Sequence, residues 1–456
     1  MSKLNKFSNI MLFIFSLFVL PCLAICFNAP FRQFVNVCDS KNLILLICFY
    51  SIIAIFLAIM FLFYNDKKVN KKFYLFVILL ILNLILRFIN MEIKSGDYNT
   101  FLSEWVESYR NMPLKDCFAT QVGNYSPPYN YFLILISRIP FNDLYLIKIL
   151  SFIFELLTAY FVTKLIAHIK KEKFNILIFI CILFVPMFFI NSVVWAQCDS
   201  IYTFFSFMAI YFAVKNKSKL SFMFFGLSLC FKFQSIILFP VALILLLCKD
   251  YKNNKILKWK DIWVAPLTYI GITSISMFFG KSFSDAFLIY FEQSVTYNKL
   301  SSGCPNLANI IFFLDNYSTF KILAMIVLIA LTLCVLTYIL IRYIKKRSLN
   351  DLEIINVSFL ITFFVVLLMP KMLDRYFYLS NIFAVVLMFC MKDKIYKQSI
   401  LITLISSSVA HMGSTPYYTL TNQYLMVYSC YICSYFSSIA NVISGGIIAY
   451  IDNKNN

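Results

Sequence analysis

Glycine is scarce in this chain of 456 residues, nine in all, and histidine scarcer still, with only His168 and His411. No glycine-rich turn is available to cradle the phosphates of a soluble nucleotide. With only these two histidines, His-based zinc motifs are absent. Charge is thin as well: 13% of residues are charged, where soluble chains carry about 25%. No long polar stretch interrupts the sequence, so a separate soluble domain is not expected. What fills the chain instead is apolar and aromatic. Hydrophobic residues make up 61%, with 51 Phe and 29 Tyr, and the mean hydropathy is +0.81.

Apolar runs of the length needed to cross a bilayer, about 20 residues, recur from end to end. We draw spans at 8–28, 42–64, 73–91, 143–168, 174–192, 199–214, 218–231, 234–248, 262–280, 320–343, 352–370, 376–391, 397–413 and 425–451. The expected fold is therefore an all-α integral membrane protein with about 12–14 helices. The pair around 218–248 is short enough to be partly re-entrant. Residues 1–28, basic and then apolar, read as an uncleaved first span, because no small-x-small cleavage site ends the run.

The net charge of +19 does not point to nucleic acid, because its lysines and arginines cluster in short loops between spans. Examples are Lys67, Lys68, Lys71 and Lys72; Lys170, Lys171 and Lys173; Lys215, Lys217 and Lys219; and Lys345, Lys346 and Arg347. Such loops face the cytoplasm. Counting spans from them puts both termini inside and two long segments, 92–142 and 281–319, outside. Of the 14 cysteines, most lie in spans as small hydrophobes. Cys38, Cys117, Cys198 and Cys304 fall on the outer side, where a disulfide is open but no pairing follows. Cys430 and Cys433 form a CxxC inside a span and read as packing.

The chemically informative residues are polar groups at the outer ends of spans. Asp97 follows the third span. After it Tyr98, Phe101, Leu102, Trp105, Val106 and Tyr109 share one face at helical spacing, opposite Asn99, Glu104, Glu107 and Ser108. Asp97 reads equally as the cap of that interfacial helix or as a partly desolvated carboxylate able to take a proton. Tyr125-Ser126-Pro127-Pro128 marks a rigid turn. Trp195-Ala196-Gln197-Cys198-Asp199-Ser200 places a carboxylate beside a span, where such groups are costly. Lys232-Phe233-Gln234 puts a lone lysine outside, either snorkelling or holding an anion. Lys371, Asp374 and Arg375, flanked by aromatics, suit a phosphate beside a sugar. All these motifs fall on one side of the expected topology, which allows them to converge on one outward-facing cavity.

Gly96-Asp97-Tyr98, Tyr125-Ser126-Pro127-Pro128, Trp195 to Ser200, Lys232-Phe233-Gln234, Pro305-Asn306-Leu307 and Met372-Leu373-Asp374-Arg375-Tyr376 occur in that order. In this the chain resembles the GT-C superfamily over roughly residues 73–391, nearest to bacterial relatives of the second GPI mannosyltransferase. The resemblance implies an inverting transfer of a hexose, mannose above all, from a polyprenyl- or dolichyl-phosphate donor to a glycan or glycolipid acceptor at the outer face of the bilayer. It implies Asp97 as the base and Arg375 as a ligand of the donor phosphate, with Lys232, Gln234, Lys371 and Asp374 beside it. Tyr98, Trp195, Gln197, Asp199 and Asn306 would shape the site. No cofactor is required, and a divalent cation is neither demanded nor excluded. Relatives commonly carry His before the acidic residue of the late motif, where this chain has Leu373. The competing readings are a transporter or flippase of lipid-linked glycans, for which Glu155 at the midplane, about two turns from Lys148 on the same helix face, is the best support, and a catalytically silent assembly subunit.

Overall fold

The computed structural model describes residues 40–64, 71–250, 255–290, 300, 303–311, 321–419 and 423–455; the expected span at 8–28 lies outside them. In chain order the helices are α1 (Ser40–Tyr64), α2 (Lys71–Ile89), α3 (Ser103–Arg110), α4 (Leu114–Ala119), α5 (Pro127–Ser137), α6 (Asp143–Lys170), α7 (Ile176–Ile182), α8 (Pro186–Val193) and α9 (Asp199–Val214). There follow α10 (Ser218–Phe231), α11 (Phe239–Leu247), α12 (Val264–Thr273), α13 (Leu307–Ile311), α14 (Lys321–Lys346), α15 (Asp351–Leu368), α16 (Tyr378–Cys390), α17 (Lys394–Thr419) and α18 (Gln423–Asn455). The only sheet among the described residues is a two-residue parallel pairing of β1 (Lys249–Asp250) with β2 (Ser348–Leu349). The protein is an all-α, multi-span membrane protein.

Among the described residues six helical segments are long and apolar enough to cross a membrane: Lys71–Ile89, Asp143–Lys170, Trp259–Phe279, Lys321–Lys346, Asp351–Leu368 and Cys433–Lys454. Four shorter apolar helices, Ile44–Met60, Asp199–Val214, Ser218–Phe231 and Phe233–Leu247, match spans drawn from the sequence. The span drawn at 174–192 is broken, with α7 and α8 meeting at a bend of 57°. Pro186 opens α8; its ring removes an N–H and clashes with the preceding turn, so one straight helix cannot form.

The chain divides into two compact units. The first comprises Met1–Ser103 and Ile139–Ser200, the second Glu104–Arg138 and Ile201–Asn456. In the first, α6 starts cleanly because the Asn142 side chain accepts from Leu144 N at 3.0 Å. Its interior holds Arg87, wholly buried, which bridges to Glu155 at 2.7 Å and lies 4.0 Å from the centre of the Phe152 ring. Breaking such a buried pair costs about 3–5 kcal/mol.

In the second unit α15 begins with a full capping box, Asn350 and Glu353 each closing the other's backbone N–H. Gly226 lets α10 press against α12: a Cβ there would sit 2.4 Å from the Ala265 carbonyl oxygen. Gly123, at φ +70°, stacks beneath Trp105, whose indole would lie 2.3 Å from any added Cβ. Of the amphipathic face, Tyr98 and Leu102 belong to the first unit and Trp105, Val106 and Tyr109 to the second; all five are buried and Phe101 is exposed. Its first turn, Tyr98–Leu102, is a π-helix, not an α-helix.

Candidate active site

In the first unit the residues around Asp97 are assembled from three stretches of chain. Ser95 Oγ accepts from Tyr98 N at 3.1 Å and donates to the Trp195 carbonyl at 2.7 Å. The serine therefore caps the turn that follows, and the Asp97 side chain makes no capping bond. The half-buried Asp97 carboxylate instead accepts, through Oδ2, a hydrogen bond from Gln197 Nε2. Of the two local readings of Asp97, capping is the one the geometry removes. Tyr98 is buried and completes the turn.

Gln197 is itself held from two sides. Its N–H donates to Asn191 O at 3.1 Å, and its carbonyl accepts from Ser151 Oγ at 2.8 Å. The same Asn191 donates through Nδ2 to Asp199 Oδ2 at 2.9 Å. Asp199 is fully buried at the first position of α9, where the helix dipole favours a negative charge. Between them Ala196 adopts φ +54°, a strained conformation for a residue with a Cβ. Trp195 is buried rather than displayed at an interface. The Trp195–Ser200 motif is thus a rigid turn that aims the Gln197 amide at Asp97.

Lys148 and Glu155 share a face of α6 as the sequence indicates, but they do not pair with each other. Glu155 bridges to Arg87. Lys148 Nζ donates to the carbonyls of Asn90, Met91 and Ile93 at 2.9, 2.9 and 2.7 Å. The arrangement expected of a transporter's midplane pair is replaced by two fixed tethers.

In the second unit Lys232 caps α10 in an extended conformation and is almost wholly buried. Its ammonium lies 5.6 Å from the ring centres of both Tyr202 and Tyr376, within range of a cation–π interaction. Gln234 Nε2 donates to Tyr376 Oη at 2.8 Å. The late motif folds into a 3₁₀ turn, Asp374–Phe377, in which Asp374 Oδ1 accepts from Arg375 N at 2.9 Å. Asp374 Oδ2 meets Nδ1 of His411, on α17, at 2.9 Å. Lys371 takes φ +61° and donates its N–H to Leu300 O at 2.9 Å, leaving a half-exposed ammonium. Asn306 is buried and pins its own loop to the end of α15 through the carbonyls of Val366 at 3.4 Å and Met369 at 3.1 Å.

Lys232 and Gln234 thus share Tyr376 as a partner, and Tyr376 sits in the same 3₁₀ turn as Asp374 and Arg375. Asn306 and Lys371 act on the approach to the motif. His411 escaped the sequence reading: it lies in a span drawn from hydropathy, 37 positions after Asp374, and only its rarity marked it. It brings an imidazole to Asp374 from a different helix. Cys117 and Cys304 are buried free thiols. Burial, with the Asp374 charge adding to it, pushes the Cys304 thiol well above its ordinary range, which disfavours the thiolate. Cys38 lies outside the described residues. Among the described residues no group of three or more His, Cys, Asp or Glu side chains is placed to hold a metal ion.

These arrangements can take a proton at Asp97 and hold an anion among cations and aromatic rings. Residues 124–370 match the family model described as glycosyltransferase family 87. The chain belongs to this family. It is a GT-C-like membrane glycosyltransferase, and its reaction moves a sugar from a donor to an acceptor at a lipid bilayer. The family segment contains the Tyr125–Pro128, Trp195–Ser200, Lys232–Gln234 and Asn306 motifs, begins after Asp97 and ends just before Lys371. No curated protein shows a significant match to the chain.

Proposed function

We propose that this family 87 protein is an inverting hexosyltransferase that draws its sugar, mannose first among candidates, from a polyprenyl phosphate and delivers it to a glycan or glycolipid hydroxyl at the outer face of the membrane. In this it would act like the bacterial relatives of the second GPI mannosyltransferase. The observation that carries the reading is the Asp97 carboxylate, relieved of capping by Ser95 and oriented by Gln197.

Asp97 takes the acceptor's hydroxyl proton as that oxygen attacks C1 of the sugar. The bond from C1 to the phosphate oxygen breaks on the opposite face, and its electron pair leaves with the lipid phosphate. Inversion follows from this single displacement. The transition state spreads positive charge over the ring while negative charge grows on the phosphate, so cations aimed at that phosphate lower the barrier. Lys232 and Arg375 are assigned that role, with Lys371 as an accessible third cation. Tyr202 and Tyr376 offer aromatic faces beside Lys232. The absence of any nucleotide-phosphate loop in the sequence favours a lipid-linked donor.

The test is transfer by the detergent-purified protein to a glycan acceptor from polyprenyl-phosphate-mannose, polyprenyl-phosphate-glucose and GDP-mannose, with the product's anomeric configuration read by NMR. Turnover from a lipid-phosphate donor with inversion is expected. Turnover from the nucleotide sugar alone, or retention, would contradict the proposal.

A further inference from the structure

Among the buried polar side chains along one face of helix α6 are Lys148, Ser151 and Glu155, at the spacing that aligns residues on adjacent turns. Glu155 serves the Arg87 bridge deeper in the unit. The other two touch the segments that meet at Asp97. The chain beyond α2 has no regular structure until Gly96; there the Asn90 carbonyl accepts a turn bond from Ile93 N at 3.3 Å, and the carbonyls of Asn90, Met91 and Ile93 lie past the last helical turn. An ammonium has three donors, and Lys148 spends one on each of these carbonyls. One turn along, Ser151 fixes the Gln197 carbonyl, the residue whose amide holds Asp97.

We propose that Lys148 and Ser151 are positioning residues of the transfer reaction: α6 acts as a shared ruler that fixes the Asp97 carboxylate against its Gln197 partner. The inference rests on the reading of Asp97 as the base. Neither side chain reaches the reacting atoms. A rigid helix holding both halves of the pair keeps the proton acceptor in its attack geometry, where a displacement of about 1 Å costs about a hundredfold in rate.

The test uses Lys148→Gln and Ser151→Ala, purified in detergent and assayed with polyprenyl-phosphate-mannose, each alone and combined with Gln197→Ala, beside Asp97→Asn. Each single variant should lower kcat about tenfold or more with donor KM unchanged, and should add little once Gln197→Ala is present. Ser151→Ala removes one hydroxyl and decides the matter if Lys148→Gln fails to fold. A kcat that stays at the wild-type value, a loss shared between kcat and KM, or an undiminished loss in the Gln197→Ala background would overturn the positioning role. The parent reading fails differently: Asp97→Asn would itself retain full kcat, and both proposals would fall together.

Discussion

Lys232 is buried, with its ammonium 5.6 Å from the ring centres of Tyr202 and Tyr376, and in the proposed reaction it faces the donor phosphate. Lys232→Met should therefore lower kcat/KM for the donor by about tenfold to a hundredfold, the worth of one charged hydrogen bond, while thermal stability holds. Unchanged kinetics would return Lys232 to a purely structural role. His411 acts at one remove, through Asp374 and the turn that carries Arg375. His411→Ala should raise donor KM by about tenfold or more, and His411→Asn, which keeps an N–H near the position of Nδ1, should recover much of it. Equal defects in the two variants would contradict this. At this scale the sequence made individual motifs readable, because Asp97, Lys232 and Arg375 are the wrong residue types for an apolar surrounding. It left the partners hidden. Gln197 lies 100 positions from Asp97, and nothing local to either signals the contact.

Among the elements, the apolar runs placed the described spans well, since burial in lipid demands continuous hydrophobicity and little else. The break between α7 and α8 was missed, although Pro186 lay in plain view, because a hydropathy window averages over a single residue. The π-turn at Tyr98–Leu102 has no composition signature at all. One connection carries a pH dependence. Lys281, just after α12, donates to Thr120 O at 2.7 Å and Gln121 Oε1 at 3.0 Å. Burial lowers its pKa from 10.5 to about 8, with Asp285 opposing. The unfolded chain thus binds the proton more tightly than the folded one. The cost of burying the charge is fully present below pH 8 and is relieved as pH rises toward 10.5. Wild type should gain melting temperature relative to Lys281→Gln between pH 8 and pH 10. A gap between the two that is independent of pH would show that Lys281 is not charged and buried in the fold.

For the whole molecule, the two units interleave along the chain, so no linear boundary in the sequence announces them. The lysine-rich loops set the orientation we propose: cysteines placed at Lys171 and Lys217 should be labelled only from the cytoplasmic side, and one at Asn99 only from outside. Labelling of Asn99→Cys from the cytoplasm would invert the topology and remove the lipid-linked donor on the outer face. The account as a whole stands on the base. The most direct measurement is kcat for sugar transfer from the polyprenyl-phosphate donor by Asp97→Asn, which keeps the size of the side chain and removes its charge. A loss of about a hundredfold or more, with donor binding and melting temperature retained, is the predicted result; turnover at the wild-type rate would contradict it.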